Sequence, residues 1–308
     1  MTAEAGQAGQ QGRRVTAVVV NHDAGDALSQ CVTSLWAQEV SAVVVVDNNS
    51  TDGSAERLMA MDPQVLLVST GTNLGYGAGV NRGVAAAPLP TEFILVSNPD
   101  LVVHPGAVGA MVGAFDDDHS LGIAGPRILQ EDGSRYPSAR RFPELTDALG
   151  HALLGLIAPR NRFSRRYKMQ GDEPLETTAV DWVSGACFLV RRRAFEDLGG
   201  FDEAYFMYAE DVDLCWRAHR AGWGVAYVPS GSVTHQQGTA TSRRPYRMLL
   251  AHHRSTLRFA MKSTAGWRRA ALPAVVLAIG VRLVLTVTGQ LVSGHLRPLS
   301  STDGVTSD

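Results

Sequence analysis

The stretch SAVVVVDNNSTDGS, residues 41–54, decides the fold. Ala42 to Val46 run without a polar break and stop abruptly at Asp47, Asn48 and Asn49. A strand with one wet face would alternate. A strand apolar on both faces is covered on both, which points to a parallel sheet between helices. Such a strand needs neighbours of its own kind, and the chain supplies them. RVTAVVVNHD (14–23) precedes it, and QVLLVST (64–70) and EFILVSNPD (92–100) follow. Helical patterns lie between and after. AGDALSQCVTSLWAQ (24–38) sets Leu28, Cys31, Val32 and Leu35 at helical spacing. GYGAGVNRGVAAA (75–87) opens on Gly and ends at Pro88, and HPGAVGAMVGAFDDD (104–118) is the next helix. This alternation predicts an α/β protein built on an open, doubly wound sheet.

Working outward, residues 131–178 break the pattern. EDGSRYPSARRFPEL (131–145) and RNRFSRRYKMQGDEP (160–174) are polar or basic with little periodicity. They read as an insertion with a loop and a short helix at 145–157. Order resumes with VDWVSGACFLVRR (180–192), read as one strand. A helix from Arg193 to Leu198 follows, closed by Gly199 and Gly200, and another spans 210–221. No internal repeat is present.

The chain has 308 residues, 45% apolar and 19% charged, enough for one large α/β domain with an appendage. Net charge is only -2, but it is unevenly spread. Leu214 to Thr302 contains no Asp or Glu and twelve Lys plus Arg. That asymmetry implies an anionic partner, nucleic acid or an anionic membrane. No nucleic-acid motif accompanies the basic segment, which favours the membrane. Within it, RRPYRMLLAHHRSTLRFAMKSTAGWRR (243–269) has the pattern of a basic amphipathic helix. ALPAVVLAIGVRLVLTVTGQLV (271–292) has the length of a membrane span, yet Arg282 interrupts it. A span, an in-plane segment and packing on the domain all stay open for it, the latter two favoured over the first. Three scattered cysteines fit neither a disulfide framework nor a C-x-x-C metal site, so a reducing cytoplasm is expected. The start lacks an apolar core and reads as a flexible tail. The expected organisation is a tail at 1–13, a catalytic domain at 14–241, a helical membrane-associating extension at 242–298 and a tail at 299–308.

In doubly wound sheets, ligands bind outside the carboxyl ends of the strands. Three polar clusters fall there: Asn21-His22-Asp23, Asp47-Asn48-Asn49 and Asn98-Pro99-Asp100. One such cluster is what any strand-to-loop transition gives; three at one sheet edge indicate a site. No G-x-G-x-x-G follows the first strand, which argues against a dinucleotide oxidoreductase. No basic residue lies in 21–26, which argues against a nucleotidyltransferase. NLGYGAGVNRG (73–83) permits close backbone approach, with Asn73, Asn81 and Arg82 available to ribose or phosphate. The same glycines equally serve helix–strand packing. Asp100 suits a divalent cation bridging two phosphates, or a helix cap near Pro105. Glu210, Asp211 and Asp213 suit a helix N-terminus. The aromatic approach FDEAYFMYAED (201–211) adds a second reading, because a carboxylate desolvated beside Phe206 and Tyr208 gains the basicity of a general base. His235 reads as a ligand to the same cation or as a structural histidine.

Together, VVVNHDAGDALSQCVTSLWAQ, VVVVDNNSTDGS, NLGYGAGVNRG, FILVSNPDLVV, the run from Asp181 to Trp223 and VTHQQGTAT resemble, in order, the family-2 inverting glycosyltransferases with a GT-A fold, a Rossmann-like mixed sheet. The nearest subgroup is similar to the actinobacterial cell-wall rhamnosyltransferases, which move L-rhamnose from dTDP-rhamnose onto N-acetylglucosaminyl-diphospho-polyprenol. The resemblance implies that Asp47 meets the nucleobase or ribose, with Asn21, Asp23, Asn73, Gly75, Asn81 and Asn98 also on the donor side. It implies Mg2+ or Mn2+ at Asp100, where Asn98 replaces the first acid of the family's D-x-D motif, and His235 as the completing ligand. Asp211 is the implied base, with Glu210 or Asp213 in support. Trp182, Ser184, Gly185 and Asp213 fall on the sugar and acceptor side. Arg140, Arg141, Arg165 and Arg166 meet the acceptor diphosphate or form a solvated loop. The implied setting is the cytoplasmic membrane surface. Two alternatives stand beside this: transfer from UDP-linked galactose, glucose or N-acetylglucosamine, and a non-catalytic membrane- or polysaccharide-binding module.

Overall fold

A computed structural model describes residues 14–38, 40–142, 174–236 and 245–273, with 276, 277 and 279–281. The expected tails, the helix at 145–157, Arg165, Arg166 and most of 271–292 lie outside those residues.

The first half alternates as its apolar runs dictate. β1 (Val15–Asn21), α1 (Ala27–Trp36), β2 (Ala42–Asp47), α2 (Ser54–Met61), β3 (Leu66–Ser69), α3 (Tyr76–Ala86) and β4 (Phe93–Ser97) succeed one another. Then come β5 (Leu101–Val103), α4 (Ala107–Asp117), β6 (Leu121–Gln130), β7 (Arg135–Tyr136), β8 (Ala139–Arg140), β9 (Thr178–Ala179), β10 (Trp182–Val183) and β11 (Cys187–Arg191). The chain continues through α5 (Arg192–Asp197), α6 (Glu210–Arg220), β12 (Gly224–His235) and α7 (Pro245–Ser263), followed by a 3-10 turn at Gly266–Ala271. The main sheet has the order β3-β2-β1-β4-β11-β6-β12-β5. β1, β2, β3 and β4 are mutually parallel, whereas β11 runs antiparallel between β4 and β6. The doubly wound expectation holds for the first half, and the whole sheet is mixed.

Side-chain alternation along β1 divides the core. Val15, Ala17 and Val19 face Leu28, Cys31, Val32 and Leu35 of α1, with Met111 and Phe115 of α4. Val18 and Val20 face Val80 and Val84 of α3, with Leu214 and Ala218 of α6. Burial on both faces is why these strands are almost wholly apolar, and the exception in β1, Thr16, is buried with its hydroxyl 2.9 Å from Thr91 Oγ1. Edge strand β3 differs, with Leu66 at 42% exposure. The glycine-rich stretch resolves into two uses. A Cβ at Gly79 would come within 2.9 Å of Val20, and one at Gly83 would collide with Val18, so these glycines let α3 lie close on the sheet. Gly75 belongs to the site.

Two elements depart from expectation. VDWVSGACFLVRR is two strands: β10 pairs with β8 in a separate small sheet, and β11 enters the main one. Long-range bonds force the break, since Ser184 N–H donates to Ser138 O and Asn98 N–H to Ala186 O. β6 was not foreseen because Gly122, Gly125 and Pro126 interrupt its apolar run. Gly125 is required there, as a Cβ would meet Val183 at 2.6 Å. The expected insertion is structured at its ends, where β7 pairs with β6 and β9 with β12. Helix α7 packs on α6 through Phe259 against Trp216, ring centroids 6.3 Å apart. Among the described residues no helix is long and apolar enough to cross a membrane.

Candidate active site

Register brings the polar strand ends together. Asn21 lies opposite Asp47, and Asp47 opposite Ser69. The fully buried Asn21 places Nδ2 3.1 Å from Asp47 Oδ1, 3.0 Å from Ser50 Oγ and 2.9 Å from Ser54 Oγ. It therefore holds Asp47 in place at the strand ends. Ser50 N–H donates to the other Asp47 oxygen at 3.3 Å. Asp23, at φ 56°, accepts Thr51 N–H at 2.7 Å and closes the β1 and β2 loops on each other. Asn73 Oδ1 accepts from Gly75 N–H at 3.0 Å and from Asn48 at 3.1 Å, fixing the turn into α3. Gly75, at φ +89°, faces the carbonyl of Phe206 so closely that a Cβ would collide with it. Asn81 lies elsewhere. Its amide holds Phe201 O and Glu203 at 3.0 Å and accepts Phe201 N–H at 2.9 Å. The donor contact expected of Asn81 is replaced by a structural one, because both ends of its amide are engaged.

At the end of β4, Asp100 Oδ1 lies 3.0 Å from His235 Nε2, and Asn98 Nδ2 lies 3.4 Å from the same nitrogen. The Asp100 and His235 side chains are 14% and 13% exposed, accessible from one side. β5 and β12 pair Leu101 with His235 directly, which makes this convergence a consequence of register. Among the described residues no cluster of three His, Cys, Asp or Glu side chains is placed for a metal. One carboxylate, one imidazole and a neighbouring amide still suit a hard cation whose remaining ligands are diphosphate oxygens and water. The donor set fits that group with one protein acid fewer than a D-x-D motif.

The acids of α6 stand on the other side of the turn at 184–186. Gly185 N–H donates to Asp211 Oδ2 at 2.8 Å, and Val212 N–H donates to Oδ1 at 2.8 Å. A Cβ at Gly185 would lie 3.3 Å from Asp211 Oδ2, so glycine makes room for the carboxylate. Burial raises the Asp211 pKa, while those two N–H groups and the Arg140 charge pull it back. Glu210 is 6% exposed, and its Oε2 is buried without a hydrogen-bond partner. Burial, then the adjacent Asp211, pushes its carboxyl up to about 8. The interactions that favour an anion thus fall on Asp211, and Glu210 keeps the proton they would otherwise contest. Two acids pushed apart in this way take different roles.

Tyr76 joins the two halves. Its hydroxyl donates to Gly185 O at 2.6 Å, and burial, with Glu210, Asp211 and Asp100 nearby, holds its pKa well above normal. The turn at 184–186 lies between the two acid groups, since Asn98 N–H donates to Ala186 O at 2.8 Å and Gly185 N–H donates to Asp211. Sequence reasoning missed Tyr76, since a tyrosine after glycine at a helix start reads as core. Ser184 is buried and supports the turn through Ala186 N–H at 3.3 Å. Trp182 is 5% exposed, its Nε1–H donates to Arg141 O at 3.0 Å, and Arg140 stacks 5.0 Å from its ring. The surface it was expected to offer is covered by Arg140. Asp213 is fully buried, with Arg217 Nε 2.7 Å from Oδ2 and Lys262 Nζ 2.7 Å from Oδ1. The sugar or acceptor contact expected of it is corrected to the supporting role.

The architecture has a counterpart among solved structures. The chain superposes with a TM-score of 0.60 on the crystal structure of GalNAc-T7 with UDP, GalNAc and Mn2+, at 13% identity, covering 91% of this chain and 57% of that one. The fold is GT-A. The chain belongs to the family described as glycosyltransferase like family 2, which matches residues 12–269, and it is an inverting glycosyltransferase. N-acetylglucosaminyl-diphospho-decaprenol L-rhamnosyltransferase of Mycobacterium tuberculosis is 42% identical over 83% of this chain and 86% of its own length. Rhamnosyltransferase WbbL of Escherichia coli is 26% identical over 71% of this chain and 81% of its own.

Proposed function

We propose that the protein transfers L-rhamnose from dTDP-L-rhamnose to an N-acetylglucosaminyl-diphospho-polyprenol acceptor, with Asp211 as the base. The observation that carries the mechanism is the unequal treatment of two adjacent acids. Asp211 is partly exposed and receives two backbone N–H bonds, while Glu210 is buried with an unpartnered oxygen. Asp211 takes the proton from the acceptor hydroxyl as that oxygen attacks the anomeric carbon. A single displacement inverts that carbon. Asp47 and the Gly75 turn hold the nucleotide. Asp100 and His235 would hold Mg2+ or Mn2+, which offsets charge on the departing diphosphate. The choice of rhamnose and of the lipid-linked acceptor is supported by the 42% identical relative's name.

The acceptor class implies a lipid surface. Leu250, Arg254, Leu257 and Met261 fall on one stripe of α7, with Leu250 at 40% and Met261 at 56% exposure. Apolar side chains flanking a cation favour an anionic bilayer face, which in this reading is the cytoplasmic one. The test is transfer to the lipid-linked acceptor with dTDP-rhamnose or UDP-sugars as donor. Asp211→Asn should abolish turnover and leave dTDP binding intact. Preference for a UDP-sugar overturns the rhamnose reading, and full turnover by the variant overturns the base.

A further inference from the structure

Two partly exposed cations of α7 reach across to acids of the segment that precedes and opens α6. Lys262 Nζ lies 2.7 Å from Asp213 Oδ1 and 2.9 Å from Asp202 Oδ2. Arg258 Nη2 reaches Asp202 at 3.4 Å. Lys262 thus bridges the two ends of the segment 202–213, whose far end carries the base.

That segment needs a restraint. Tyr208 and Ala209, immediately before Glu210, sit at φ 70° and 61°. Left-handed geometry in non-glycine residues costs about 1 kcal/mol or more each and persists only where surroundings enforce it. Helix α7 supplies part of the enforcement. Ser255 Oγ donates to Met207 O at 2.8 Å, and His252 meets the Tyr208 ring edge-on at 5.3 Å between centroids. The same segment forms a wall of the donor side, where Tyr76 N–H donates to Phe206 O at 3.0 Å.

Asp213 shows why a lysine stands there. It has no exposed surface and sits in the first turn of α6, two residues beyond Asp211. Its N–H donates to Ala209 O at 2.9 Å, so any shift of its carboxylate is felt at the strained residue. Arg217 satisfies one oxygen from within α6. The other oxygen takes the Tyr205 hydroxyl at 3.5 Å and Lys262 Nζ at 2.7 Å, and Lys262 is the partner that comes from α7 and also reaches Asp202.

We propose that Lys262 is a positioning residue for sugar transfer: by joining Asp202 and Asp213 it holds the strained entry to α6 and so fixes Asp211 against the turn at 184–186. This rests on the reading of Asp211 as base. A displacement of the base approaching 1 Å costs about 100-fold in rate, so partial release of the segment costs about 10- to 100-fold.

The experiment compares Lys262→Met, Lys262→Arg and Asp211→Asn in the full chain. Thermal unfolding, dTDP affinity, kcat and acceptor KM are measured. K262M is expected to lose about 10- to 100-fold in kcat, with dTDP affinity within about twofold of wild type. K262R is expected to recover most of the rate. A folded K262M with wild-type kcat overturns the proposal, as does a kcat loss matched by an equal loss of dTDP affinity, which marks general damage. If K262M does not fold, Ser255→Ala decides, because it removes only the bond to Met207. A kcat at least about threefold lower with unchanged dTDP binding supports the proposal, and an unchanged kcat overturns it. Turnover retained by D211N overturns the base reading itself, whatever Lys262 does.

Discussion

Replacing Glu210 by Gln tests the division of labour at the head of α6. The carboxyl is 6% exposed, has a buried oxygen without a partner and adjoins Asp211, and it is pushed up to about 8 from an ordinary 4.5. Between those values the folded protein holds a proton that the unfolded chain releases. Stability from this group is therefore full below about pH 4.5 and falls as pH rises toward about 8, by up to about 1.4 kcal/mol per pH unit. Glutamine keeps the shape and cannot titrate. Denaturant unfolding at pH 5, 6, 7 and 8 should show wild type losing stability steadily, while E210Q follows a shallower line. The two should nearly coincide at pH 5 and differ by a few kcal/mol at pH 8. Residual slope is expected, since burial also raises Asp211. Activity sharpens the test. At pH 7 glutamine imitates the protonated acid, so kcat should stay within about tenfold of wild type, whereas D211N should fall by about 100-fold or more. An E210Q variant with the wild-type pH slope, and as inactive as D211N, would refute the assignment of the proton to Glu210.

Three further outcomes follow from the same geometry. Gly75→Ala forces a side chain at φ +89° into the Phe206 carbonyl, and should lower Tm and reduce kcat by about tenfold or more, whereas Gly113→Ala, with open space around it in α4, should stabilise by about 0.5–1 kcal/mol in urea unfolding. Asn98→Asp adds an acid beside Asp100 and His235, and should tighten Mn2+ binding by about tenfold in calorimetry; unchanged affinity would place the ion elsewhere. Leu250→Glu with Met261→Glu should abolish sedimentation with anionic vesicles while leaving transfer to a soluble acceptor analogue unaltered.

What could be read from the sequence tracks how local each cause is. β1, β2 and β4 were legible because burial on both faces removes nearly every polar residue from the strand interior. β6 was not, because its glycines answer to Val183 and Trp223, distant partners that the local pattern does not contain. The turn at 184–186 was hidden for a related reason: Ser-Gly-Ala breaks the strand only when Ser138, Asn98 and Asp211 arrive to bond it. Site residues divide likewise. Asp100, Asp211 and His235 end or begin elements, where side chains meet the sheet edge, and the sequence displays that. Asn81 and Asp213 were misplaced because their partners, Phe201 and Lys262, lie far along the chain. A polar residue's chemistry is visible in its letter, but whether it is already spent depends on what folds against it.

The charges at the rim explain why that distinction matters for turnover. In the proposed mechanism Asp100 and Asp211 would share it with an incoming diphosphate, gathering anions where desolvation makes their repulsion expensive. The protein lowers that repulsion in three places. Burial and the adjacent Asp211 raise the Glu210 pKa, which favours its neutral form and lightens the negative charge of the pair. Asn98 stands where the family's motif has an acid. Arg140, stacked on Trp182, brings a positive charge that partly offsets the upward push of burial on the Asp211 pKa. Asp213, two residues on, would add another anion to this field were it not neutralised by Arg217 and Lys262. On the proposed mechanism, one carboxylate can then serve as base beside a diphosphate because its neighbours are shifted toward neutrality, replaced or paired.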